Sequence, residues 1–284
     1  MTALRCLAPG KVNLSLFVGA PRADGLHPLV SVVQPVSLAD EVMLAPAPAG
    51  ATEDEVVCRG VEGPNLATRA LAAFRAATAW DAPPQRLTIR KRVPVAAGMG
   101  GGSGDAAAAL RLAAHAAGGA PRELLLELAA GLGGDVPSQV EPGRTLMTGA
   151  GEHVRRLADP TGLALVLLPS PHALSTPAVY RVFDELAAAR GEDELARLEA
   201  RPEALPVHND LQDAARRLCP SIDDALAAVA ATGADHVLVS GSGPTVFGCF
   251  HGVDALERAR AAAAAVDGVA AEPVNPAFAE VRPA

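Results

Sequence analysis

Apolar and polar residues alternate along Val12-Asn13-Leu14-Ser15-Leu16-Phe17-Val18, the period of a half-buried strand. Side chains repeat every second residue in a strand, so Lys11, Asn13 and Ser15 share one face. Similar patterns predict strands over 29–35, 41–45, 86–93, 143–148, 236–240 and 245–250, with a short last strand near 268–273. The unbroken apolar run Leu163 to Leu168 reads as a buried strand. Helices are predicted over 66–79, 105–117, 121–131, 176–189, 211–218, 221–231 and 255–265. Asn65 is placed as an N-cap, Pro121 in a favoured first turn, and Gly118-Gly119 as a stop. Segments 46–55 and 191–206 are polar and broken by proline, which predicts exposed excursions. The turn Asp159-Pro160-Thr161-Gly162 predicts a boundary between a unit over 1–160 and a second over 161–284.

A chain of 284 residues, half of them hydrophobic, can bury a sizeable core in one large or two modest domains. Aromatics are only 3%, so alanine-rich helices packed on Val/Leu strands are expected. Against 32 acidic residues stand 24 basic ones, a net charge of −8, which argues against nucleic acid or an anionic membrane as the partner. Cys6, Cys58, Cys219 and Cys249 are widely spaced, without a Cys-x-x-Cys pair, and read as reduced thiols in a cytoplasmic protein. The start of the chain does not read as a signal peptide, and the longest clean apolar run falls far short of a membrane span.

One stretch stands apart: Pro94-Val95-Ala96-Ala97-Gly98-Met99-Gly100-Gly101-Gly102-Ser103-Gly104-Asp105 runs from a strand into an alanine-rich helix. Glycine lets a backbone approach a ligand with no Cβ in the way, and a helix start offers unpaired N–H groups and a positive dipole end. Together they make an anion site, most often one for phosphate. No Gly-x-x-x-x-Gly-Lys-Ser/Thr is present, and the strand–turn–helix context of a dinucleotide fingerprint is missing. A second loop, Gly241-Ser242-Gly243-Pro244, and the isolated Lys11 and Asp135 complete a set suited to phosphoryl transfer: a phosphate cradle, a cation and a carboxylate. Each part also has a plainer reading. Lys11 can be a surface lysine, Asn65 and Ser103 helix caps, His27 a turn residue and Tyr180 a core residue.

Pro9-Gly10-Lys11-Val12-Asn13-Leu14, the loop Gly98 to Ala108, and Gly241-Ser242-Gly243-Pro244 resemble the three motifs of the GHMP kinases. Three further stretches resemble the branch of that superfamily acting on a cytidine diphosphate-linked polyol. They are Arg22-Ala23-Asp24-Gly25-Leu26-His27, Gly133-Gly134-Asp135-Val136-Pro137 and Leu174-Ser175-Thr176-Pro177-Ala178-Val179-Tyr180. The resemblance runs in order from about Ala8 to Phe250, with the wording of high-GC actinobacterial forms.

The resemblance implies a two-domain α+β kinase: an N-terminal domain like domain 2 of ribosomal protein S5, and a ferredoxin-like C-terminal α/β sandwich. It implies ATP as co-substrate, Mg2+, and phosphorylation of the substrate's 2-hydroxyl for isoprenoid precursor synthesis, by a monomer or homodimer. Lys11 and Asp135 match the catalytic pair, with no protein ligand of the metal identified. The ATP side takes Asn65, Pro94, Ala96, Gly98, Met99, Gly100, Gly101, Gly102, Ser103 and Gly104. The substrate side takes Asn13, Leu26, His27, Asp135, Tyr180, Gly241, Ser242 and Gly243. Leu26 stands where relatives usually carry a tyrosine that stacks on the cytosine, which weakens base recognition by roughly 1 kcal/mol. A homoserine- or mevalonate-type kinase, or a non-catalytic nucleotide-binding protein on the same scaffold, are the rival readings.

Overall fold

The computed structural model describes residues 2–61 and 63–284. The first part of the chain forms β1 (Leu4–Val18), β2 (Leu29–Pro46), β3 (Glu55–Cys58), α1 (Leu66–Thr78), β4 (Gln85–Arg90), α2 (Gly101–Ala116), α3 (Arg122–Ala130), α4 (Pro137–Val140), β5 (Thr145–Thr148) and β6 (His153–Arg156). The second part forms β7 (Leu163–Leu168), α5 (Thr176–Glu185), α6 (Glu192–Glu199), β8 (His208–Asn209), α7 (Gln212–Leu218), α8 (Ser221–Ala230), β9 (His236–Val239), β10 (Val246–His251), α9 (Ala255–Val266), β11 (Val269–Ala271) and β12 (Arg282–Pro283).

The first sheet runs β12-β1-β2-β4-β3, with β5 and β6 continuing from part of β2 and β8 pairing with β1. The hairpin of β1 and β2 is its spine. The alternating pattern located only the later half of β1 and divided β2 in two, because Pro9-Gly10 and the polar Ser37 and Asp40 interrupt it. Pairing continues through these interruptions by shifting register between Pro9 and Lys11 and again between Asn13 and Ser15. Such bulges bend a strand and re-aim its side chains. Here they fall on the stretch that carries Lys11 and Asn13.

The second sheet runs β11-β7-β10-β9, antiparallel throughout. The unit's first strand lies between its last and its third, the arrangement of a ferredoxin-like split βαβ. Three apolar clusters hold the whole together. One lies between the first sheet and α1 to α4, one between the second sheet and its helices, and one joins residues of both sheets, such as Val12 and Phe247. The alanine run Ala106–Ala109 of α2 is fully buried in the first cluster. Small side chains let that helix lie close to both β1 and α1.

Of the two expected excursions, 46–55 is a largely exposed loop as predicted, with strand residues only at its ends, whereas 191–206 is more ordered than the polarity of its residues predicts. Glu55–Cys58 adds a parallel edge strand to β4. Within 191–206, α6 buries Leu195, and Pro202 is buried as well. The segment is fastened by Arg190, whose guanidinium donates to the shielded carboxylate of Asp210 at 2.6 Å while Arg190 N donates to Val18 O. A few apolar anchors and an ion pair thus outweigh a mostly charged composition. No helix among the described residues is long and apolar enough to cross a membrane.

Candidate active site

The glycine stretch folds differently from its reading as a loop ending at Asp105. Helix α2 begins at Gly101, so Gly101, Gly102, Ser103 and Gly104 form its first turn, behind Gly100 in a left-handed conformation. Gly104 N already donates to Gly100 O, whereas the N–H groups of Gly101, Gly102 and Ser103 precede any intrahelical acceptor. Ser103 is therefore not the cap. A Cβ at Gly102 would meet nothing within 4 Å, and one at Gly104 would press on Pro9 O at 3.0 Å. Gly102 thus borders open space, while Gly104 seats the helix against β1.

The preceding loop is stitched on two sides. Lys11 N donates to Met99 O at 2.9 Å, Ser240 Oγ donates to Gly98 O at 3.0 Å, and Thr245 N donates to Ala97 O at 3.3 Å. Gly98 has φ +74°, and a Cβ there would lie 2.4 Å from Ser240 O. Only glycine allows this approach of the two glycine loops.

A cavity of 410 Å³ opens at this junction. Lys11 and Gly98 are in its wall. One side carries Asn65, Pro94, Ala96 and the helix start from Gly100 to Ser103, and the other carries Asn13, Asp135, Tyr180, Gly241 and Ser242. The plainer reading of Lys11 as a surface residue fails, since it is only 3% exposed. Its ammonium lies 2.8 Å from Asn13 Oδ1, 3.2 Å from Asp135 Oδ2 and 3.4 Å from Gly98 O. Asp135 is held by its own turn. Val136 N donates to Gly133 O, Ser138 Oγ donates to Asp135 O, and Gly134 packs so closely on Ala150 O that a Cβ would lie 2.6 Å away. Asn65 serves as cap and wall together: its Oδ1 accepts from Ala67 N, leaving its amide NH2 for a ligand.

Several expected residues do not reach the cavity wall. Met99 is buried in the cluster between the sheets, its side chain beside Gly10 of β1 and its carbonyl accepting from Lys11 N. Gly104 and Gly243 support backbone packing. Leu26 is 53% exposed, in a turn held by its own N–H to Asp24 Oδ1. His27 lies behind Tyr180, with ring centroids 4.9 Å apart and Nδ1 2.8 Å from Gly19 O. Tyr180 itself lines the cavity, and burial, with Asp135 adding to it, pushes its phenol up to about 12.

Sequence reasoning missed a buried charge cluster on the helix-start side. Lys91 Nζ lies between Asp40 Oδ2 at 2.5 Å and Asp105 Oδ2 at 2.8 Å, and both Lys91 and Asp105 line the cavity. The signal was available as a lysine just before the glycine stretch and an aspartate just after it. The other oxygen of Asp105 is buried with no hydrogen-bond partner. Burial pushes the Asp105 carboxyl up to about 7, against the pull of Lys91.

Family-wide sequence models match twice: the GHMP kinases N terminal domain over residues 65–143 and the GHMP kinases C terminal over residues 185–270. A 4-diphosphocytidyl-2-C-methyl-D-erythritol kinase of Streptomyces coelicolor is 45% identical over 256 residues, 84% of each chain. One of Thermobifida fusca is 40% identical, covering 93% of this chain and 92% of that protein. A crystal structure of 4-(cytidine 5'-diphospho)-2C-methyl-D-erythritol kinase superposes with a TM-score of 0.73 at 33% identity, covering 98% of this chain and 97% of its own. Homoserine kinase from Cytophaga hutchinsonii, at 16% identity and a TM-score of 0.72, shares the fold.

A raised carboxyl favours the fold while protonated. The contribution of Asp105 is fully present below its unfolded value near ~4 and is lost as pH rises through about 7. Asp105→Asn is expected to flatten the fall of melting temperature between pH 5.5 and 8.5 relative to the parent. Thermal scans across that range check it, and parallel curves for the two proteins reject it.

Proposed function

The chain belongs to the GHMP kinases, and from that membership we propose that it transfers the γ-phosphoryl group of ATP to the 2-hydroxyl of 4-diphosphocytidyl-2-C-methyl-D-erythritol, in isoprenoid precursor biosynthesis. The observation that carries this reading is the meeting of Lys11, Asp135 and the start of α2 on one cavity. The three unpaired N–H groups suit the phosphates of ATP. Asp135 orients the acceptor hydroxyl and receives its proton, and Lys11 stabilises charge growing on the attacking oxygen and the γ-phosphate. We place the domain division at Pro160, after β6, with β8 and β12 of the second part returning to pair with β1. Widely spaced cysteines suit a cytoplasmic setting.

Mg2+ prefers hard oxygen donors, keeps several waters and is held largely through substrate phosphates. The residues fit that demand: Ser103, at the helix start, offers an oxygen in the cavity wall without serving as the cap, and Asp135 supplies a carboxylate. When bound, the ion neutralises phosphate charge.

Substrate identity rests on Tyr180, with His27 behind it as a brace. Tyr180 offers a ring face to a flat base, the role that Leu26, out in the turn, does not fill.

The function is tested by ADP release over a panel of alcohols. Turnover is expected with the cytidyl polyol and not with homoserine or mevalonate; the reverse order would reject the substrate. Asp135→Asn is expected to lower kcat about 10²-fold or more while ATP affinity, measured by calorimetry, stays near the parent's. Turnover at the parent rate would remove Asp135 from the mechanism. Tyr180→Ala is expected to raise KM for the cytidyl substrate roughly tenfold, the loss of an aromatic contact worth ~1.4 kcal/mol. An equal rise in KM for ATP would assign Tyr180 to packing instead.

A further inference from the structure

Ser31 lies on β2, wholly buried, with its side chain at the cavity wall. Its hydroxyl has one proton, and that proton goes to Ser15 O at 2.7 Å, beside the second bulge of β1. The oxygen then has only lone pairs to offer its other neighbour, the amide of Asn13 at 2.8 Å. Asn13 must therefore turn its NH2 towards Ser31 and its carbonyl oxygen towards Lys11. The Lys11 ammonium only donates, so it can approach Asn13 only in this setting.

From this chain of single-direction hydrogen bonds, we infer that Ser31 is a positioning residue for phosphoryl transfer: it sets the orientation of the Asn13 amide, and through it the place of Lys11 beside Asp135. Rotating the Asn13 amide by a half-turn would put an N–H against the ammonium and drive Lys11 off its 3.2 Å approach to Asp135. Ser31 makes no contact with the reacting atoms in this scheme. The helix start that faces the phosphates lies outside the relay, so ground-state binding of ATP does not depend on it.

The inference rests on the kinase reading, and the test keeps the two apart. Ser31→Ala, Ser31→Thr and Ser31→Val are compared with the parent in the ADP-release assay. Threonine and valine add the same branch and differ in the hydroxyl, so packing costs are shared. Ser31→Ala and Ser31→Val are expected to lose roughly 10- to 100-fold in kcat, the scale of a misplaced catalytic group, with KM for both substrates within about threefold. Ser31→Thr is expected to stay within a few-fold of the parent, since it restores the hydroxyl. A kcat within twofold of the parent for Ser31→Ala, or equal losses for the threonine and valine forms, would overturn the inference. Should those two forms not fold, the alanine form decides. Independently of turnover, hydrogen exchange of the Asn13 side-chain amide by NMR should be slow in the parent and accelerated in Ser31→Ala. Unchanged exchange rejects the positioning role even if the parent proves to act on another alcohol.

Discussion

A buried ammonium must be given acceptors, and most of the site's architecture meets that demand for Lys11. Leaving a charge out of water without partners costs several kcal/mol. Its three acceptors come from three separate parts of the chain: Asn13 of β1, Asp135 after α3, and the carbonyl of Gly98 in the glycine loop. Each can serve only if its own segment is held in place, so the requirement of one side chain extends to the bulges of β1, the Gly133-Gly134 turn and the seam between the glycine loops. The Lys11 backbone N–H adds a further tie, to Met99 O.

The glycines follow from the same constraint. A Cβ at Gly100 would lie 3.0 Å from the Lys11 side chain, and one at Gly98 would collide with the backbone of the second loop. These residues clear room for Lys11 and for loop-to-loop contact before any ligand arrives. What remains open is the space beside Gly102, at the start of α2, where three N–H groups precede any intrahelical acceptor. The open helix start is thus a by-product of geometry already needed to seat the lysine and the helix.

Much of the site was legible in the sequence because its chemistry depends on short, ordered motifs. Lys11, Asp135 and the glycine stretch meet as their residue types predict, and the family resemblance is upheld by the matching domains and relatives. What escaped reading was set by tertiary partners. The continuity of β2 depends on bulges in β1, invisible to a pattern read along one strand. The order of 191–206 depends on Leu195 reaching the interior and Arg190 finding Asp210. Lys91 and Asp105 meet across a turn of the glycine stretch, and neither looks unusual until Asp40 is folded beneath them. Leu26 and His27 are adjacent in sequence, yet one is exposed and the other sits behind Tyr180, a separation made by the turn at Asp24.

The two halves of the cavity are built with different stiffness, and that difference suits their tasks. The helix-start side presents backbone N–H groups of a sixteen-residue helix whose alanines are locked between sheet and α1, so its donors have little freedom to move. The opposite side presents side chains: Asn13 and Asp135 around Lys11, and Tyr180 from α5. Backbone donors cannot be mis-set by a rotamer, whereas an amide can be reversed at small cost in volume. A site that mixes the two needs an element that fixes the direction of its side-chain hydrogen bonds. The hydroxyl of Ser31, with one proton already committed to a strand carbonyl, provides that direction at the point where β1 departs from regular pairing.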